Sequence, residues 1–171
     1  QIESMEKVDV AVMSSAQIMA LTTAQVKALV ADQVAALRTD QVAAMKSEQL
    51  PALDASDLES FTTAQLVALS SGQLSTLTTA QLARLSDRQV QAIESVDMPG
   101  LTTSQVAALT NDWIAAMTTA QVSSLTTAQL VSMQTDDVAA ITTDQITALK
   151  TAQTAALTTA QVVALTTDQV A

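Results

Sequence analysis

The sequence predicts an all-α fold, a solenoid or superhelix of very short capped helices with one helix in each eight-residue repeat. Three observations predict it: an octad that never slips, an apolar pattern that one straight helix could not use, and capping signals at the same place in most units. The octad reads Leu-Thr-Thr-Ala-Gln-Val-x-Ala, as at Leu21 to Ala28 and Leu157 to Ala164. With Leu as position 1, counting by eights from Met5 to Leu165 gives 21 large apolar anchors without an insertion or deletion, so residues 1–171 read as one continuous array. Position 6 is apolar in 20 of 21 octads, Thr154 being the exception, and position 8 is small in 18 of 20, Val12 and Arg84 being the exceptions. Positions 1, 6 and 8 are therefore expected to form the core. Such constancy is what a stacked array demands, since each unit buries its apolar face only against its neighbours.

One long α-helix does not fit. At about 100° per residue an eight-residue step carries the anchor roughly 80° past two full turns, so the apolar line would wind into water. Coiled-coil seams follow repeats of seven or eleven, and eight matches neither. A β-solenoid is the alternative fold, because eight is even and Thr and Val favour strands. It would put positions 2, 4, 6 and 8 on one face and turn the anchor away from position 6.

The helical reading accounts for more of the letters. Thr at position 2 with Gln at position 5 makes a reciprocal capping box, and the anchor at 1 with Val at 6 makes the accompanying hydrophobic staple. Each unit is then about one and a half turns, and the chain bends at every Leu-Thr-Thr. Position 3 competes as the cap: it is Ser, Thr, Asn or Asp in 18 of 21 octads against 14 for position 2, and acids such as Asp32, Asp40 and Asp144 gather at position 4. Both assignments stay open on sequence alone. Pro51 and Pro99 both fall at position 7, which suggests an amide there with no backward bond and a shorter helical turn.

Composition narrows the function classes. With one Phe, one Trp, no Tyr and an apolar half rich in Ala, the core is thin. The net charge of −10, with seven scattered basic residues, repels phosphate backbones, so nucleic acid is not an expected partner. No apolar run reaches the roughly 20 residues that span a bilayer, so no membrane insertion is expected. The absence of Cys removes disulfides and thiolate metal sites. Starting without Met and stopping in mid-repeat at Val170-Ala171, the chain reads as a segment of a longer array.

Candidates for chemistry are few. There is no His, and no carboxylate, Lys or Ser breaks the repeat in a cluster with a base beside it, so no catalytic residue is assigned and the chain is not expected to be an enzyme. No calcium-loop spacing is present, Asp136-Asp137 is merely an adjacent pair, and no metal or cofactor is expected. Gln fills position 5 in 16 of 21 octads and Asp replaces it at Asp9, Asp57, Asp97 and Asp137, so the shared chemistry is a side-chain acceptor near a helix start: a cap, or a Gln ladder between coils. Trp113 stands where Gln is expected. It is the one candidate interaction residue if it is exposed, and a local packing substitution if it is not. Met5, Met13, Met45, Met117 and Met133 are anchors and Met98 is at position 6, so these read as core filler.

The string Leu-Thr-Thr-Ala-Gln-Val-Val-Ala-Leu-Thr-Thr-Asp-Gln-Val at the C-terminal end resembles the octad tracts of very large secreted or surface proteins of bacteria, including calcium-repeat adhesins. The resemblance implies an extracellular or cell-surface location and a stalk-like, spacer or filament role, with possible self-association end to end. The alternative is a binding module whose regular Thr- and Gln-bearing face recognises a protein, a glycan or an ice surface. If Met98-Pro99-Gly100 and Trp113 share one exposed face, binding gains; if they are packed inside, the spacer gains.

Overall fold

The computed structural model describes residues 4–170, and among them every octad forms one short element. Nineteen are α-helices of four to six residues, and two are 3-10 turns, Leu50–Ala52 and Met98–Gly100. No strand occurs among the described residues, so the helical solenoid holds and the β alternative falls.

The local geometry repeats from unit to unit. Helices begin at position 3, preceded by two extended residues: Leu21 at φ −63°, ψ 137° and Thr22 at φ −72°, ψ 159°. The cap is thus position 2, where the Thr22 hydroxyl accepts from the Gln25 amide and the Thr22 amide donates to Gln25 Oε1 at 2.9 Å. At the other end the anchor amide closes the turn, as Leu21 N–H donates to the Ile18 carbonyl at 3.1 Å. Hydroxyls at position 3 and acids at position 4 then lie in the first turn, where the partial positive charge of the helix start favours them.

The position-7 amide is not orphaned in ordinary octads, contrary to what the prolines suggested. Ala83 N–H donates to the Thr79 carbonyl at 3.0 Å and Ala107 N–H to that of Thr103 at 2.9 Å. Where Pro removes this donor, the turn tightens: Ala52 N–H reaches the Gln49 carbonyl at 3.1 Å and Gly100 N–H that of Asp97 at 2.8 Å. Proline converts the α-turn to 3-10 without changing the octad count.

Each helix packs on those three octads before and after it. Asp87–Ala92 lies between Thr63–Val67 and Asn111–Ala116, and Asn111–Ala116 carries Thr135–Ala140 in turn. The core is the continuous column of positions 1 and 6, from Val10 to Ile141, with most side chains at position 6 almost wholly buried. Full burial of each Val or Leu there stabilises by about 1.5–3 kcal/mol. Position 8 departs from expectation, since most of its residues are only half-buried. At Gly100 the approach is close, for an added Cβ would stand 2.6 Å from the Ser71 Cβ of the coil beneath.

The two ends reveal which way each position faces. Val10, Ile18 and Val26 are buried in the first coil while Gln17 and Gln25 are exposed. In the last coil the pattern inverts: Gln161 and Gln169 are buried, while Val162 is 50 % and Val170 64 % exposed. Position 5 therefore faces the preceding coil and position 6 the following one.

Candidate functional site

The repeated chemical feature of the molecule is the buried row of position-5 glutamines. Gln81, 1 % exposed, makes the arrangement plain. Its Oε1 accepts from the Thr78 amide at 2.8 Å, completing the cap of its own helix. Its Nε2 donates to the Leu50 and Leu53 carbonyls of the preceding coil at 2.9 and 2.8 Å. These lie 31 and 28 residues back, and the same offsets recur at Gln41, Gln49, Gln65, Gln73, Gln105, Gln121, Gln129, Gln145, Gln153 and Gln161. A coil therefore takes between three and four octads.

The amide has to be Gln for a reason of inventory. One carbonyl oxygen satisfies the orphan amide at the helix start, and the NH2 group donates to two carbonyls at the bend of the preceding coil, the bare one of position 1 and the position-6 one that already accepts from the anchor amide. Where position 2 lacks a hydroxyl, as at Val30, Arg38 and Lys150, the Gln half of the cap still forms, with backbone N to Oε1 at 3.0, 2.6 and 2.8 Å. The ladder expected between coils thus exists, but it joins side chain to backbone rather than Gln to Gln.

Asp and Trp at position 5 do half of this work or none. Asp137, buried, accepts from the Gln134 amide at 2.7 Å but as a carboxylate has no proton to give the coil below. Burial raises its pKa, the Gln134 backbone bond opposes this, and the neighbouring Asp136 charge adds to the rise. Burial likewise raises that of half-buried Asp57, with Asp54 adding to it. Trp113 is 3 % exposed, with its Nε1 lacking a hydrogen-bond partner among the described residues. It is buried in the helix Asn111–Ala116, which packs between Asp87–Ala92 and Thr135–Ala140. Trp113 is a core substitution here, so the exposed placement on which an interaction role depended is not found.

Of the degenerate octad, Met98 is buried, Gly100 half-buried and Pro99 alone exposed. The charged surface is sparse in pairs: among the described residues Arg38 and Asp40 form the one ion pair, at 2.8 Å. That bond, with a second from Ser15, holds the exposed Asp40 carboxyl below the usual range. Among the described residues no three His, Cys, Asp or Glu side chains are grouped to hold a metal ion, and no helix is long and apolar enough to cross a membrane. An open surface hollow between Gln91, Glu94, Val96, Thr118 and Gln121 brings in a single carboxylate. Sequence reasoning set cap and inter-coil ladder as alternatives and missed that one Gln does both with backbone partners; the signal was a preference for Gln over the equally good acceptors Asp and Glu.

The family model of the ALTTAQ repeat matches residues 2–39, 50–87, 90–127, 114–151 and 146–171, which together cover nearly all of the chain. No curated protein matches it. The chain belongs to the ALTTAQ repeat family.

Proposed function

We propose that this member of the ALTTAQ repeat family is a structural spacer, a non-enzymatic stalk segment of a secreted or cell-surface bacterial protein. One observation carries the reading: the same inter-coil contact, a buried position 6 and a Gln amide on two carbonyls, recurs along the array without a specialised site interrupting it. A stack of this kind lengthens by a fixed rise for each added coil, because its units touch only their neighbours. Trp113 and Met98 sit in the core, the placement that favours the spacer over a binding module. The bacterial surface location is supported by the likeness to octad tracts of adhesin-like proteins.

The test is small-angle scattering on this chain and on an array with twice as many octads. A maximum dimension that grows in proportion to octad number is the expected result. A compact particle at both lengths would sink the spacer reading.

A further inference from the structure

We infer that a groove on the flank of the solenoid docks an extended cationic peptide segment, taking an aliphatic side chain at one end and Lys or Arg at the other. The inference goes beyond the spacer role. The inter-coil contact runs on unbroken beside the groove, since Gln121 Nε2 still reaches the Val90 and Ile93 carbonyls, both at 2.7 Å.

The groove consists of two open hollows that meet at Gln91. One, of about 540 Å³, lies against Val67, Val96 and Glu94. The other, of about 470 Å³, lies between the helices Asp87–Ala92 and Asn111–Ala116 and is bordered by Asp87 and Asp112. The octad that shapes the first departs from the repeat. Glu94 and Val96 stand where the repeat has Thr and Ala, and the 3-10 turn Met98–Gly100 takes the place of an α-helix. Val96 is 74 % and Val67 45 % exposed, two aliphatic side chains that share one hollow. Covering them stabilises a complex in proportion to the apolar area removed from water. Gln91 falls at position 7, outside the row of capping glutamines. Neither its amide nor the Ser95 hydroxyl is engaged in a hydrogen bond among the described residues, so both can pair with the backbone of a chain laid across them.

Charge decides the partner. Between Arg88 and Lys150 the chain carries six carboxylates and no Lys or Arg. Glu94, Asp87 and Asp112 border the groove, all exposed and in no ion pair among the described residues. Asp136 continues the row on Thr135–Ala140, the next helix in the stack, and Arg88, beside Asp87, lines neither hollow. Such a surface repels nucleic acid, anionic lipid headgroups and a second copy of this chain, whose net charge is −10, and it attracts Lys and Arg. The open form favours a chain laid across the flank over a small molecule, because small-molecule sites enclose most of their ligand.

The test is fluorescence anisotropy on the whole chain at about 0.15 M salt, where distant charges are screened. The probe is a fluorescein-labelled peptide, Ser-Leu-Ser-Lys-Ser-Lys, with two relatives, one carrying Ser in place of Leu and one carrying Glu in place of both Lys. The first peptide should bind with a Kd below about 1 mM and each relative at least about tenfold more weakly. Glu94→Gln with Asp112→Asn should weaken the first peptide at least about tenfold, and Val96→Ala at least about fivefold. Asp32→Asn with Asp144→Asn removes the same charge from exposed positions outside the groove and should change the affinity by less than about twofold. All five positions are exposed, so helix content by circular dichroism and the emission of buried Trp113 are expected to hold. The peptide relatives need no altered protein and keep the test decisive if a variant loses helix. No binding of the first peptide, binding indifferent to its Leu, or an equal loss from the Asp32 and Asp144 pair would each overturn the inference. Each of these outcomes leaves the scaling of length with octad number, and so the spacer, untouched.

Discussion

Replacing Gln81 with Met keeps the side-chain volume and removes both polar ends, which isolates what the inter-coil bonds contribute. Three bonds disappear: Thr78 N–H to Oε1, and Nε2 to the Leu50 and Leu53 carbonyls, at 2.8, 2.9 and 2.8 Å. The Leu50 carbonyl keeps the Leu53 amide at 3.2 Å, so it remains satisfied. The Leu53 carbonyl loses its side-chain partner at a buried seam, and the Thr78 amide loses its own at an exposed residue. Three bonds at about 0.5–1.5 kcal/mol each give about 1.5–4.5 kcal/mol, and the stranded carbonyl pushes the total into the upper half of that range. Gln25→Met is the internal control. Gln25 is exposed and bonds only within its own octad, so its loss should cost about 0.5–1 kcal/mol, the worth of a cap. Because repeat arrays open locally, urea unfolding by circular dichroism should be paired with amide hydrogen exchange, where protection should fall around Leu53 and Thr78 and not in distant coils. Equal costs for the two substitutions, or less than about 1 kcal/mol for Gln81→Met, would refute the claim that the Gln amide holds the coils together.

Two further contrasts follow from the same geometry. Gly72 lies in the helix Ser71–Leu74, where an added Cβ would meet only the Ser70 Oγ at an unstrained 4.0 Å, so Gly72→Ala should stabilise by about 0.5–1 kcal/mol, whereas Gly100→Ala drives a methyl into Ser71 and should lower the urea midpoint. Thermal or urea melts decide it, and a stabilising Gly100→Ala would be the contrary result. Asp137→Gln should stabilise by about 1–2 kcal/mol at pH 7, since it removes a buried charge and supplies a donor to the Val106 and Leu109 carbonyls, 31 and 28 residues back. The pH dependence has a definite sign. Burial raises the folded pKa of Asp137 and Asp57, so the folded chain binds those protons more tightly and stability increases as pH falls through the raised values towards the ordinary ~3.9. Comparing wild type with Asp137→Gln cancels the opposite contribution of Asp40. A gap between the two that fails to narrow on acidification would contradict the assignment.

Much of the architecture is legible at a range of a few residues. Thr22 and Gln25 show why: a hydroxyl and an amide three positions apart at a helix start can reach each other's backbone in only one way. The competing cap at position 3 could not be dismissed locally, because Thr23 is as good a capping residue as Thr22. The bend settles it, since only position 2 adopts the extended geometry that precedes the first helical residue.

What the sequence by itself determined is the octad, one capped helical turn per unit, and the burial of positions 1 and 6, because each follows from bonds and contacts whose partners are fixed by spacing. What only the tertiary structure decided is the far partner. Whether Gln81 meets Leu50 and Leu53 or some other pair depends on the bend angle at each Leu-Thr link, and small changes in two dihedrals, summed over three to four octads, move the meeting point by whole residues. The same long-range closure decides that Trp113 lies inside the coil rather than on it and that Gly100 stands against Ser71 of the coil beneath. No three- or four-residue rule carries that information.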